Sequence, residues 1–226
     1  MYTELSDTLA LEHPNVNISE HKCSRNGEMA RKYELKSRAA RQEATRLRIV
    51  EATMELHEEI GPARTSISAI AERAGVERLT VYRHFATEGE IYQACSAHFN
   101  ELHPFPDFVA WEAIDDPFAR LALGLTELYR YFADSERMMS SVIRDAPSTP
   151  AMHEPFARYQ QGFRAMTELL ISGFATSGIA AERVQLPIRL AVDFGTWQIV
   201  VREQEMDISE AVAYQLQIVR CAADRD

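Results

Sequence analysis

An all-α protein is the fold class this sequence predicts, and three observations carry the expectation. Apolar residues recur at three- and four-residue spacings through most of the 226 residues. Strict apolar/polar alternation, the mark of a half-buried strand, is nearly absent. Glycines and prolines stand where the periodic runs stop, as at Gly61, Gly75, HPFPDF and DAPSTP. The helices fall into an N-terminal helix-turn-helix domain and a second helical domain.

The chain opens on MYTELSDTLALEHPNVN, polar and interrupted by Pro14, which predicts a mobile start to about residue 20. It has no basic segment leading into an apolar one, so it does not read as a secretory signal. From Lys22 to Val50, nine basic residues stand against three acidic ones. A basic arm of this kind suits phosphate or minor-groove contact, and equally a solvated helix face. RLRIVEATMELHEEIG, Arg46 to Gly61, places Ile49, Ala52, Thr53, Leu56 and Ile60 on one helical face.

Next come the most informative residues, SAIAERAGVERLTVYRHF. Ile67, Ile70, Ala71 and Ala74 are spaced for a short amphipathic helix, with Thr65 and Ser66 as cap residues ahead of it. Gly75 follows the last periodic residue, where a left-handed turn costs glycine nothing. A second helix starts near Glu77 or Arg78 and turns Val81, part of Tyr82, and Phe85 inward. Arg78, Leu79, Thr80, Arg83 and His84 remain on its free face, and most are donors suited to phosphates and base edges. An ordinary helical hairpin is the alternative for this pair considered alone.

The surrounding order resembles the TetR family of transcriptional regulators. The resemblance is specific over about Thr45 to Phe99 and architectural beyond it. Its residues are Arg46, Ile49 and Val50; Ala52, Leu56 and Gly61; Thr65, Ser66, Ile70 and Ala71; Ala74, Gly75 and Val76; and Tyr82, His84 and Phe85. It implies a DNA-binding domain over 37–100 that reads a double-stranded operator through Arg46, Thr65, Ser66, Arg78, Leu79, Thr80, Tyr82, Arg83 and His84. Tyr82 and His84 match positions that hold phosphates. The sequence departs from the pattern at His57, where phenylalanine is usual, and at Pro62, where an aromatic is common. Leu79 replaces a frequent glycine and suits a thymine methyl. Glu88 replaces a lysine that meets phosphate and suits a helix N-terminus instead.

The formal charge of −10 is spread unevenly. Residues 1–36 hold five basic and six acidic side chains, 37–100 eight and nine, and 101–226 eleven and nineteen. The acidity therefore lies mostly outside the reader, where it would make DNA approach depend on orientation. Cys23, Cys95 and Cys221 are far apart and lack metal spacing, which points to a reducing, cytoplasmic setting without disulfides. No apolar run is long enough to span a bilayer.

A Pro- and Asp-rich connector, HPFPDFVAWEAIDDP, leads into the second domain, 101–226. Helices are expected from Phe118 to Phe132, continuing through Ser135 to Asp145, and from Phe156 to Phe174, with GFATSGI ending the last. The resemblance implies that this domain holds a small-molecule cavity and forms a homodimer. Aromatic bodies and adaptable methionines suit a largely apolar effector. Its expected wall is Tyr129, Phe132, Met138, Met139, Tyr159, Phe163 and Met166, with Trp111 as a cover. Closing helices are expected from about Glu182 to Arg202 and from Ser209 to Ala223. Leu190, Phe194, Trp197 and Val201 form a stripe on the first, and Ala211, Tyr214, Ile218 and Cys221 on the second. Pairing the two with a symmetry mate would give a four-helix dimer interface.

No enzyme signature, metal or cofactor is expected. Asp193-Phe194-Gly195 spells a kinase tripeptide but lacks a phosphate loop and a catalytic loop. GFATSG lacks the dinucleotide-binding spacing. His98 and His103 lie near Glu101, but sequence proximity alone makes no ligand set. The sequence thus reads as a cytoplasmic, homodimeric, ligand-responsive transcriptional regulator, a repressor in preference to an activator. Its rival is a helical ligand-binding or interaction protein that has lost operator binding.

Overall fold

The computed structural model describes residues 18–174 and 178–224. The expectation of a mobile start falls mostly on residues 1–17, and part of GFATSGI on 175–177; both lie outside the described residues. The chain divides into a first unit ending at Arg46 and a second, Leu47–Asp226. The division falls inside α1 (Ile18–Glu59). In the first unit the described residues are helical, with the Thr45 hydroxyl donating to the Arg41 carbonyl at 3.0 Å.

The second unit begins with the end of α1, a 3₁₀ turn at Pro62–Arg64, and then α2 (Ile67–Ala74), α3 (Arg78–His84) and α4 (Glu88–Leu102). Side chains set these boundaries. Ser66 caps α2 by accepting from the Ala69 N–H at 3.2 Å, and Thr87 caps α4 by accepting from the Glu90 N–H at 3.2 Å. Each such cap is worth about 1 kcal/mol. Gly75 closes α2 at φ 64°, a left-handed conformation unfavourable to side chains with a Cβ. Ile49, Val50, Leu56, Ile70, Val81 and Phe85 are buried together in the reader's core.

The connector contains a 3₁₀ segment, Phe108–Ala113, before α5 (Pro117–Asp145). Two 3₁₀ turns, Ala146–Ser148 and Pro150–Met152, lead into α6 (His153–Ser172), followed by α7 (Gly178–Ala191). The expected single helix from Glu182 to Arg202 is instead interrupted. α7 stops at Ala191, Asp193 caps a fresh turn by accepting from the Thr196 N–H at 3.0 Å, and α8 (Phe194–Trp197) runs into a π turn at Gln198–Glu203. The Tyr129 hydroxyl donates to the carbonyl of Ala191 at 2.9 Å, satisfying an acceptor that the ended helix leaves open. α9 (Ile208–Ala223) closes the chain behind an Asp207–Glu210 capping box. A second apolar cluster joins Trp111, Leu121, Phe132, Met166, Ile188 and Trp197. Among the described residues there is no strand, and no helix is long and apolar enough to cross a membrane.

Candidate nucleic-acid interface and ligand cavity

The reader face is built from α2 and α3. Val81 and Phe85 anchor α3 inward, which turns Arg78, Leu79, Tyr82 and Arg83 to solvent. Leu79 is 71% exposed. Thr80 and His84 are half-buried, and the Arg83 guanidinium donates to the Thr80 hydroxyl at 2.7 Å. Thr65 donates its hydroxyl to the Gly61 carbonyl at 2.9 Å, and Ser66 is engaged as a cap. Both hydroxyls therefore shape the entry to α2. Arg73 fastens α2 to α1 through Glu55 and Glu59, at 3.0 and 2.8 Å. Glu88 sits in the first turn of α4, where a carboxylate complements the helix dipole. Arg46 belongs to the first unit.

The turn ahead of α2 is held from below by α5. The Asp145 carboxylate, paired with Arg144 at 2.6 Å, accepts from the Ala63 N–H at 3.2 Å. Those donors hold the carboxyl below its ordinary range, with the Arg144 bond the largest cause. The Tyr92 hydroxyl donates to the Pro62 carbonyl at 3.2 Å. Gly61 has φ 86°, and a Cβ there would lie 2.2 Å from both Arg144 and Asp145. Only glycine fits that position, both for its backbone and for its neighbours.

A cavity of about 380 Å³ lies where the reader meets α5 and α6. His57 of α1 and Cys95, Ser96 and Phe99 of α4 line one side. Met138, Met139 and Val142 of α5 and Phe156 and Tyr159 of α6 line the other. A second, open groove of about 770 Å³ runs between α7 and α9 past Arg183, Leu186, Tyr214 and Ile218.

With this geometry in view, residues 49–95 match the model of the bacterial regulatory proteins of the tetR family. The match lies within the reader. The HTH-type transcriptional regulator TtgR of Pseudomonas putida is 41% identical over 59 residues, 26% of this chain and 28% of that protein. The matched region thus spans little more than a quarter of that relative's length. The rest of the fold is shared with solved structures at low identity. NalD, the secondary repressor of the MexAB-OprM multidrug efflux pump in Pseudomonas aeruginosa, aligns with a TM-score of 0.54 and 21% identity over 81% of this chain and 97% of its own. FadR from Bacillus subtilis, in complex with stearoyl-CoA, aligns at 0.52 and 18% over 79% and 97%.

The expected ligand wall separates into two groups. Met138, Met139 and Tyr159 do line the cavity. Trp111, Tyr129, Phe132, Phe163 and Met166 do not line it and pack in or against the body core. Trp111 is no cover: it is buried, its indole N–H donates to Glu127 at 3.0 Å, and Gly124 leaves room for its ring. Tyr129 is committed to Ala191, and Phe132 packs on Phe194 and Trp197 at ring distances of 5.2 and 5.8 Å.

The expected dimer stripes separate as well. Phe194, Trp197, Val201 and Ala211 are buried inside the protomer, the first two on the turn that follows the break at Asp193. Leu190, Tyr214, Ile218 and Cys221 stay exposed, joined by Leu186 at 64%. Sequence reasoning does not place the reader-side residues, His57 and Cys95 above all, on a cavity wall. One signal points there: His57 follows Thr53 by four residues on an otherwise apolar face. Among the described residues no group of His, Cys, Asp and Glu is arranged to hold a metal.

Proposed function

We propose that this chain is a cytoplasmic, homodimeric, ligand-responsive DNA-binding transcriptional regulator, a repressor that a small molecule releases from its operator. One observation carries the reading: a seven-residue helix behind a left-handed glycine turn, buried through Val81 and Phe85, with Arg78, Leu79, Tyr82 and Arg83 exposed together. Two guanidiniums, a phenol and an apolar tip on one short helix suit the phosphates and base edges of a major groove. In this reading residues 1–36 are an extension, 37–100 the reader, and 101–226 the effector and dimerisation body. It has no catalytic role, and Thr65, Ser66, Thr80 and His84 support the contact. A repressor and a regulator holding an acyl-CoA share the fold.

The cavity supplies the control. Its volume falls within the range of about 300–1,000 Å³ common for small-molecule sites. Val142, on its wall, is one turn before Asp145, whose carboxylate holds the turn that feeds α2. A molecule that binds better when α5 is displaced therefore favours a reader spacing that no longer fits successive major grooves. The second protomer would cover the exposed Leu186, Leu190, Tyr214 and Ile218 of α7 and α9.

Selection of bound sequences from random DNA tests the reading. A two-fold site with half-sites about 34–36 Å apart is expected. No enriched site would favour the rival, a helical ligand-binding protein without an operator. The double substitution Leu190→Asp and Ile218→Asp should convert a dimer to a folded monomer in sedimentation. Deleting residues 1–36 should flatten the salt dependence of DNA affinity by about 0.9 for each phosphate no longer neutralised.

A further inference from the structure

The reader-side wall of the cavity holds a buried polar pair. His57 is 2% exposed, its Nδ1 lies 3.8 Å from the Cys95 Sγ, and its Nε2 is buried with no hydrogen-bond partner. Tyr92 meets the ring edge-on at 4.5 Å and offers it no hydrogen bond, since its hydroxyl is committed to Pro62. Burial holds the His57 imidazole down to about 4, against the opposing pull of Asp145, and pushes the Cys95 thiol up to about 12. Both groups are therefore neutral near pH 7. A thiol is a weak donor and a weaker acceptor, whereas an unprotonated imidazole nitrogen accepts well. The pairing is then S–H to Nδ1, which leaves the ring proton on Nε2.

Charge is absent from the rest of the deep wall. Met138, Met139, Met152, Phe99 and Phe156 are apolar, and the phenols of Tyr131 and Tyr159, neutral at pH 7 in any case, are pushed further up by burial. Arg158 is the one charged side chain among the described lining residues; it is exposed and paired with Glu154. Glu154 also accepts from Gln93 at 2.6 Å, which closes that rim on itself. A carboxylate entering the cavity would lose its water and meet no free cation among these lining residues.

We propose that the cavity takes an uncharged, largely apolar molecule bearing one hydrogen-bond-accepting oxygen, and that His57, oriented by Cys95, is the contact that selects it. The inference rests on the reading above only in taking this cavity as the effector site. Gly162 allows the site to be closed deliberately: it lines the cavity, and a Cβ added there meets nothing within 4 Å.

The test uses the full-length protein without DNA and three probes of one ring size: 1-naphthol, 1-naphthoate and naphthalene. Calorimetry should show 1-naphthol binding at least about tenfold more tightly than 1-naphthoate, the desolvation cost of an unpaired anion. His57→Phe should weaken 1-naphthol by about tenfold, one hydrogen bond to a buried partner, and leave naphthalene unchanged. Gly162→Phe should abolish binding of all three. Nitrogen NMR of the wild type should report the proton on Nε2, and Cys95→Ala should disturb that preference. Naphthoate binding as well as naphthol, naphthol indifferent to His57→Phe, binding that survives Gly162→Phe, or no probe bound at all would each overturn the proposal. A probe that binds as expected yet leaves operator affinity unchanged would count against ligand control of DNA binding, and not against this site.

Discussion

The reader and the body bury their apolar residues by different means. In the reader, Ile49, Ile70, Val81 and Phe85 come from neighbouring helices of the chain, and side chains only three residues away fix the starts of α2 and α4. In the body, Trp111, Phe132, Phe194 and Trp197 come from distant segments and meet only when the domain closes. Local patterns therefore specify the reader almost residue by residue. In the body they specify helices, but not which side of each helix meets what. The cavity forms between the two regions, lined by one from each side, and α5 reaches past it to hold the reader's turn through Asp145.

The largest expected effect breaks the body alone. Trp197 is fully buried, with its ring 5.3 Å from that of Phe194. Trp197→Glu removes that packing and buries an unpaired charge, a combination that costs at least about 4 kcal/mol. Loss of cooperative thermal unfolding, or insoluble protein, is the expected outcome. A soluble, folded monomer would instead place Trp197 at a subunit interface.

A smaller effect sits at the junction. The His57 pKa falls from 6.5 to about 4 on folding, so the unfolded chain takes up the proton first. The stability this group contributes is complete above about pH 6.5 and is lost progressively as pH falls toward 4. At about 1.4 kcal/mol per unit, the loss is on the order of 3 kcal/mol. Urea unfolding at pH 7.5 and 4.5 should show it, and His57→Phe should remove that component. An unchanged pH slope in His57→Phe would mean that the imidazole is not buried neutral.

The reader face should respond without any change in folding. Arg83→Ala should cost about 1–3 kcal/mol of operator affinity and relax preference at one base position, if Arg83 reads a guanine. Its thermal midpoint should match the wild type, because Arg83 is exposed. Equal affinity for all selected sequences would remove α3 as the reading element.

The smallest effect is a gain. Gly162 lies within α6 beside open space. Gly162→Ala should raise stability by about 0.5–1 kcal/mol through helix propensity, measured by urea unfolding. A drop in stability would mean that the space beside Gly162 is filled.

Much of the reader is legible before folding. Gly75 announces its own left-handed turn, Ser66 and Thr87 their caps, and Val81 and Phe85 their burial, because each signal acts within a few residues. The aromatic and methionine positions of the body are legible as apolar, but their partners are not. Tyr129 reads as a ligand contact in the sequence and is in fact the donor for Ala191, a relation across 62 residues. Leu190 and Trp197 read as one stripe, yet α7 ends at Ala191 and Asp193 starts a new turn between them.

What the sequence determined by itself is the helical class, the helix-turn-helix and the donors on its free face. Those follow from backbone preferences and hydrophobic period, which are short-range. Tertiary structure decided that His57 and Cys95 pair on a cavity wall, that Gly61 has no room for a side chain, and that Trp197 is core while Leu190 is surface. Those depend on which distant atoms fill the neighbouring space, and periodicity gives a residue's face without naming what will cover it.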